Sequence, residues 1–134
     1  MIPVDQTSLY CPNGPPGNCY NACIASILEI PLESLPNPSN HWTIDKPDWW
    51  PGYWRDIVKW LKDRNIALIE ICEPDLFTDC YLIISGPSPR TKYILHAVVG
   101  FGEEIVHDPH PSKKGLAEGK RTYTYFVLID PGRR

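Results

Sequence analysis

Fifteen of the chain's 134 residues are proline. Each removes a backbone donor and fixes φ, so regular structure is confined to the stretches between them. The first such stretch with helical spacing is residues 19–28 (CYNACIASIL). There Cys23, Ile24, Ile27 and Leu28 share a face, small Ala and Ser residues permit close packing, and Asn18 stands at the N-cap position. Pro31 ends that helix. Residues 31–41 (PLESLPNPSNH) hold three prolines and two asparagines and read as loop, with room for one turn at 32–35.

Residues 42–54 carry four of the five tryptophans and lead into a second helix over 53–64. Trp54, Ile57, Val58, Trp60 and Leu61 form its apolar face, and Asn65 is its stop. The period then changes to that of strands at 67–72, 80–85, 93–100, 104–107 and 123–129. Helices first and strands after predict a single α+β domain. Its helical part, about 1–65, packs on an antiparallel sheet built from about 66–134. The short Phe101-Gly102-Glu103 connection predicts a hairpin that brings His96 near His107 and Asp108 on the neighbouring strand.

Charge narrows the partners. Thirteen Lys and Arg against sixteen Asp and Glu leave a net charge of −3, which speaks against nucleic acid or an anionic membrane held by bulk electrostatics. No apolar run approaches the ~20 residues of a membrane span. Residues 1–10 have neither the basic start nor the apolar core of a signal peptide. The expected setting is therefore cytoplasmic, where thiols stay reduced.

Five cysteines are then a question of reactivity rather than pairing. They do not supply the two closely spaced pairs of a structural zinc site. His107-Asp108-Pro109-His110 groups two imidazoles with a carboxylate, but the proline holds the segment extended and no HxxxH pair supports it. Neither a metal nor a cofactor is expected. The first turn of a helix favours a thiolate through its unpaired N–H groups, and Cys19 sits at that turn. Cys23, one turn on among apolar neighbours, suits a buried structural thiol. His96 supplies a base, Asp108 an orienting carboxylate, and Gln6 with the Cys19 N–H an oxyanion hole.

These residues, in this order, resemble the bacteriocin-processing peptidase branch of the papain-like cysteine proteases. The resemblance rests on Gly17-Asn18-Cys19-Tyr20-Asn21-Ala22-Cys23, on His96-Ala97-Val98-Val99-Gly100, and on Ile105-Val106-His107-Asp108-Pro109. It implies a papain-like fold with Cys19 as nucleophile, His96 as base and Asp108 as orienter. Two departures stand out. The family glutamine lies about half a dozen residues before its cysteine, where this chain has Asn13, so either Gln6 reaches the site around the intervening Pro/Gly loop or Asn13 takes the role. Tyr20 occupies a position where the family usually has glycine.

Tyr20, Trp50 and Trp54 are candidate substrate contacts, within an aromatic segment that either lines a groove or covers the core. Residues 85–90 read as one wall of the site, 109–120 as a mobile, solvated basic loop, and His107 as a side chain on the face opposite Asp108. The expected function is a cysteine peptidase or amidase acting on a peptide or protein substrate through a thioacyl intermediate. Its alternatives are an inactive papain-like binding module gripping a partner with the tryptophan loop, and an acyltransferase or deamidase using the same triad.

Overall fold

The computed structural model describes residues 1–133. Helix α1 (Cys19–Leu28) is a core helix rather than an amphipathic one: Ala22, Cys23, Ile24, Ala25 and Ser26 are fully buried. It ends where Glu29 turns left-handed, at φ 57°, and returns its N–H to the Ala25 carbonyl. Two 3-10 turns follow, Leu32–Ser34 where one turn is predicted and Pro38–His41 where none is. The second forms because the Asn37 side chain accepts from the Ser39 N–H and Pro38 occupies the first helical position.

Helix α2 (Trp50–Lys62) starts three residues before the predicted 53. Pro51 is compatible with that first turn, where its missing N–H would have no partner anyway. Gly52 is required: a Cβ there would enter the ring of His41, which pairs with Asp56 at 2.6 Å and ties the second 3-10 turn to α2. The helix ends at Lys62, two residues before the predicted 64, and Asn65, at φ 66°, lies in the turn that follows. Its carboxamide also accepts from the Asp130 N–H (2.9 Å) and donates to the Asp130 carbonyl (2.8 Å), fixing the end of the chain.

Five strands follow: β1 (Ile66–Ile71), β2 (Tyr81–Pro87), β3 (Leu95–Phe101), β4 (Glu104–His107) and β5 (Thr122–Leu128). They form one sheet in the order β1-β5-β2-β3-β4 with every neighbouring pair antiparallel. The architecture is therefore α+β with an antiparallel sheet. β3 begins later than predicted because Tyr93 is left-handed, φ 63°, which no strand accommodates. The predicted β3–β4 hairpin forms, with a register shift at Val99/Gly100. At Gly100 a Cβ would come within 2.5 Å of Ile84 Cδ1 and 3.3 Å of the Glu104 carbonyl.

Leu68, Ile83, Ala97, Val99 and Phe126 point from the sheet into the core shared with α1 and α2. On the other face Leu82, Ile84 and Val98 pack with Tyr123, Tyr125 and Leu116. Among the described residues no helix is long and apolar enough to cross a membrane. The helical layer is locked by polar groups in its interior. The Tyr53 hydroxyl donates to Asn21 Oδ1, and Asn21 Nδ2 donates to the Pro36 carbonyl at 2.8 Å, joining both helices to the loop between them. Tyr53→Phe leaves the buried Asn21 oxygen unpaired and should lower unfolding free energy by about 1–3 kcal/mol, measured by urea denaturation with secondary structure retained.

Candidate active site

Cys19 is the first residue of α1 and half-buried. Asn18 stands at the N-cap position but caps nothing, contrary to expectation. Its side-chain oxygen accepts from the Thr7 N–H (3.0 Å) and the Ser8 N–H (2.9 Å), and its nitrogen donates to Thr7 Oγ1 (2.9 Å). Both acceptor directions of the carboxamide oxygen are thereby used on an incoming segment. The first-turn amides of α1, Cys19's own included, stay free of a side-chain cap, and such free N–H groups favour negative charge at that point. Cys23 is fully enclosed, and burial first of all, with the Cys19 and Asp108 charges adding to it, pushes its thiol well above the ordinary range. It remains neutral.

His96 on β3 and Asp108, just past the end of β4, meet as the hairpin predicts. His96 Nε2 lies 2.7 Å from Asp108 Oδ1, with both side chains buried. Asp108 also accepts from the His110 N–H (2.9 Å) and the Gly115 N–H (2.8 Å), so the carboxylate is held by three donors. Burial alone would raise its pKa; the hydrogen bonds from His96, His110 and Gly115 overcome this and bring it to about 2. For His96 burial disfavours the charged ring, but hydrogen bonds to Asp108 and to Cys19, with the charges of both, raise it from 6.5 to about 9. With Nε2 committed to Asp108, Nδ1 is the nitrogen left to serve Cys19.

The segment 109–115 is thus not the freely solvated loop its charge suggests. His110 and Gly115 spend their amides on Asp108, and Lys113 donates to the Asp108 carbonyl (2.8 Å) and to Asp5 (2.5 Å). His107 bonds the Val4 carbonyl at 2.8 Å, away from Asp108. His107 and His110 face different partners, and among the described residues no group of three His, Cys, Asp or Glu side chains is arranged to hold a metal ion.

Those contacts also fix the N-terminal segment. Val4 is held by His107 and by Ser26 Oγ (2.9 Å), and the Gln6 N–H donates to the Pro109 carbonyl at 3.0 Å. Gln6 consequently lines the same cleft as Cys19 and His96, while Asn13 is exposed, left-handed at φ 60°, and does not. Gln6 Nε2 donates one hydrogen to the Ser8 carbonyl (2.9 Å), leaving its second. The side chain is buried, and among the described residues its Oε1 has no hydrogen-bond partner.

The cleft encloses about 620 Å³ between the start of α1, the start of α2 and the β2–β3 loop. Of the predicted substrate contacts, Tyr20 and Trp50 line it and Trp54 does not. Trp54 lies behind, its ring stacked on Trp50 (5.6 Å, 21°) and edge-on to Tyr20 (6.0 Å). One turn of helix separates Trp54 from Trp50 on the same face, so the two stack rather than both opening to the cleft. Trp49 and Tyr53 line the cleft as well, while Trp54 and Trp60 pack against the core. The aromatic segment thus does both things expected of it as alternatives. Of residues 85–90, Ser85, Ser88 and Arg90 line the cleft.

The supports at His110 and Gly115 escape a reading by residue type because they act through backbone N–H groups. The one signal for them is Asp-Pro-His itself, since an aspartate often accepts from the amide two residues on. Comparison with known proteins gives no match, whether to a family model, a curated protein or a solved structure.

The paired shifts have opposite consequences for stability. The raised His96 pKa contributes stability that is complete below pH 6.5 and lost as pH rises through about 9. The lowered Asp108 pKa contributes stability that is complete above pH 3.8 and lost as pH falls through about 2. NMR titration of the His96 ring should give a midpoint near 9. In Asp108→Asn it should fall by at least about one unit. An unchanged midpoint in that variant would show that Asp108 does not hold the charge.

Proposed function

We propose that this chain is a papain-like cysteine hydrolase that cleaves a peptide or amide bond through a thioacyl intermediate on Cys19. One observation carries the reading. A buried histidine, bonded on one nitrogen to a carboxylate that three donors hold, turns to a cysteine at the uncapped start of a helix, in the wall of an open cleft. The sequence order of Cys19, His96 and Asp108 supports the same reading.

The chemistry follows from the geometry. At neutral pH His96 is an imidazolium, its positive charge beside the Cys19 sulfur. The sulfur attacks the substrate carbonyl carbon. The oxygen, now negative, is met by the second Gln6 Nε2 hydrogen and the Cys19 N–H. As the C–N bond breaks, His96 Nδ1 gives its proton to the departing amine, leaving a thioester and a neutral ring. Water then attacks the thioester carbonyl while His96 takes its proton. Breaking of the C–S bond frees the carboxylic acid and returns the sulfur to its starting state. Asp108 keeps one tautomer and ring orientation throughout. The substrate is a peptide or protein segment extended along the cleft, with Tyr20 and Trp50 against its acyl portion.

Limiting iodoacetamide near neutral pH, read by mass spectrometry, should label Cys19 ahead of Cys11, Cys23, Cys72 and Cys80, and His96→Ala should suppress that labelling. Uniform labelling, or labelling led by the exposed Cys11, contradicts the proposal. On peptide-library substrates, Cys19→Ala should abolish cleavage, and His96→Ala should lower kcat/KM by about 10²–10⁴-fold. Gln6→Met should lower kcat by about 10²–10³-fold, because it removes the oxyanion donor, while it also gives up the bond to the Ser8 carbonyl.

A further inference from the structure

Resting on the hydrolase reading, the direction of proton transfer fixes which end of the cleft holds which half of the substrate. His96 protonates the departing amine, so the leaving group lies on the His96 side and the acyl portion extends the other way. The cleft floor runs across the sheet from His96 and Ala97 on β3, over Ser85 on β2 and Thr122 and Thr124 on β5, to Glu70 on β1. Three strand spacings make that acyl arm about 14 Å long, enough for about four extended residues. The leaving-group arm is of different chemistry.

Past His96 stands His110, its ring perpendicular to that of His96 at 6.0 Å, and then Arg90. The Ser112 N–H donates to His110 Nδ1 (2.9 Å), so the ring proton is on Nε2 and available as a donor. Desolvation and then the Arg90 charge lower the His110 pKa, which keeps that ring neutral. Arg90 is half-buried: its backbone N–H donates to Ser88 Oγ (3.2 Å), and its guanidinium is held through Nη1, which donates to Ser112 Oγ (3.1 Å). Among the described residues no carboxylate pairs with it. The acids nearby are engaged elsewhere, Asp108 by His96 and two amides, and Asp5 by Lys113 and His107. A held guanidinium with most of its donors unused, in the wall of a cleft, matches a planar anion.

We propose that Arg90, with His110 beside it, is an anion-recognition subsite for the leaving group, so that the bond cleaved is followed closely by a carboxylate. Tyr93 and Leu95, both exposed on the same wall, add an apolar rim for the side chain of that leaving residue. The carboxylate comes from either of two sources: a free chain end one or two residues beyond the scissile bond, or an acidic side chain at that position.

Alkylation rates test the subsite without a known substrate. Iodoacetate and iodoacetamide differ in one carboxylate, and the quantity read is the ratio of their rates at Cys19, referenced to Cys11 in the same protein. Arg90→Gln should lower that ratio by about fivefold at low ionic strength, and Arg90→Lys should restore part of it. An unchanged ratio in Arg90→Gln overturns the subsite while leaving the catalytic reading intact. Loss of Cys19's preferential labelling by iodoacetamide in the unaltered protein, by contrast, is failure of the catalytic reading itself. The dipeptides Gly-Phe, Gly-Phe amide and Gly-Asp amide then serve as leaving-group mimics that protect Cys19 from iodoacetamide. Protection by Gly-Phe assigns the carboxylate to a chain end and protection by Gly-Asp amide to a side chain. Equal protection by Gly-Phe amide, or persistence of protection in Arg90→Gln, overturns the proposal.

Discussion

The carboxylate of Asp108 is the constraint from which the rest of the site is built. It sits in a buried position with three donors on it, and a charge so placed is stable only while all of them stay put. Satisfying it fixes the path of 109–115, and that path in turn presents the Pro109 carbonyl to Gln6 and Lys113 to Asp5. The N-terminal segment is therefore bound to the far end of the molecule through the same aspartate that orients His96. His96, Gln6 and His110 share one point of attachment.

The opposite half of the site is set by packing rather than charge. α1 packs into the core shared with the sheet through Tyr20, Cys23, Ile24 and Ala25, and this packing brings its first residue within reach of His96. Tyr53, Asn21 and Pro36 then hold α2 at a fixed offset, so that Trp50 overhangs the cleft and Trp54 braces it from behind. Two linked polar bonds in the helical layer thus position the aromatic wall. The cleft is the seam between the helical layer and the sheet.

Much of this was legible in the chain. The two helices, the five strands and the β3–β4 hairpin follow from period and proline, because both act over a few residues. His96 and Asp108 were legible as a pair because a short hairpin brings them together by local rules, and Cys19 as a thiol at a helix start; its approach to His96 depends on how α1 packs on the sheet. Asn18 was misread for a related reason: its preference for the N-cap is real, but two amides of a distant segment compete for the same oxygen. Trp54 was misassigned because composition does not say which of two tryptophans one turn apart faces outward.

The sequence by itself determined the order of elements, the α+β class and the identity of the three chemically capable side chains, since these depend on backbone sterics and side-chain chemistry. Only the tertiary structure puts Gln6 in the cleft wall and Asn13 outside it. It also decided the backbone donors at His110 and Gly115 and that, among the described residues, no carboxylate pairs with Arg90, because each depends on contacts between segments well apart in the chain. Burial is the physical reason for the difference. A local pattern names the groups, but whether a donor is free or engaged is a property of everything packed around it.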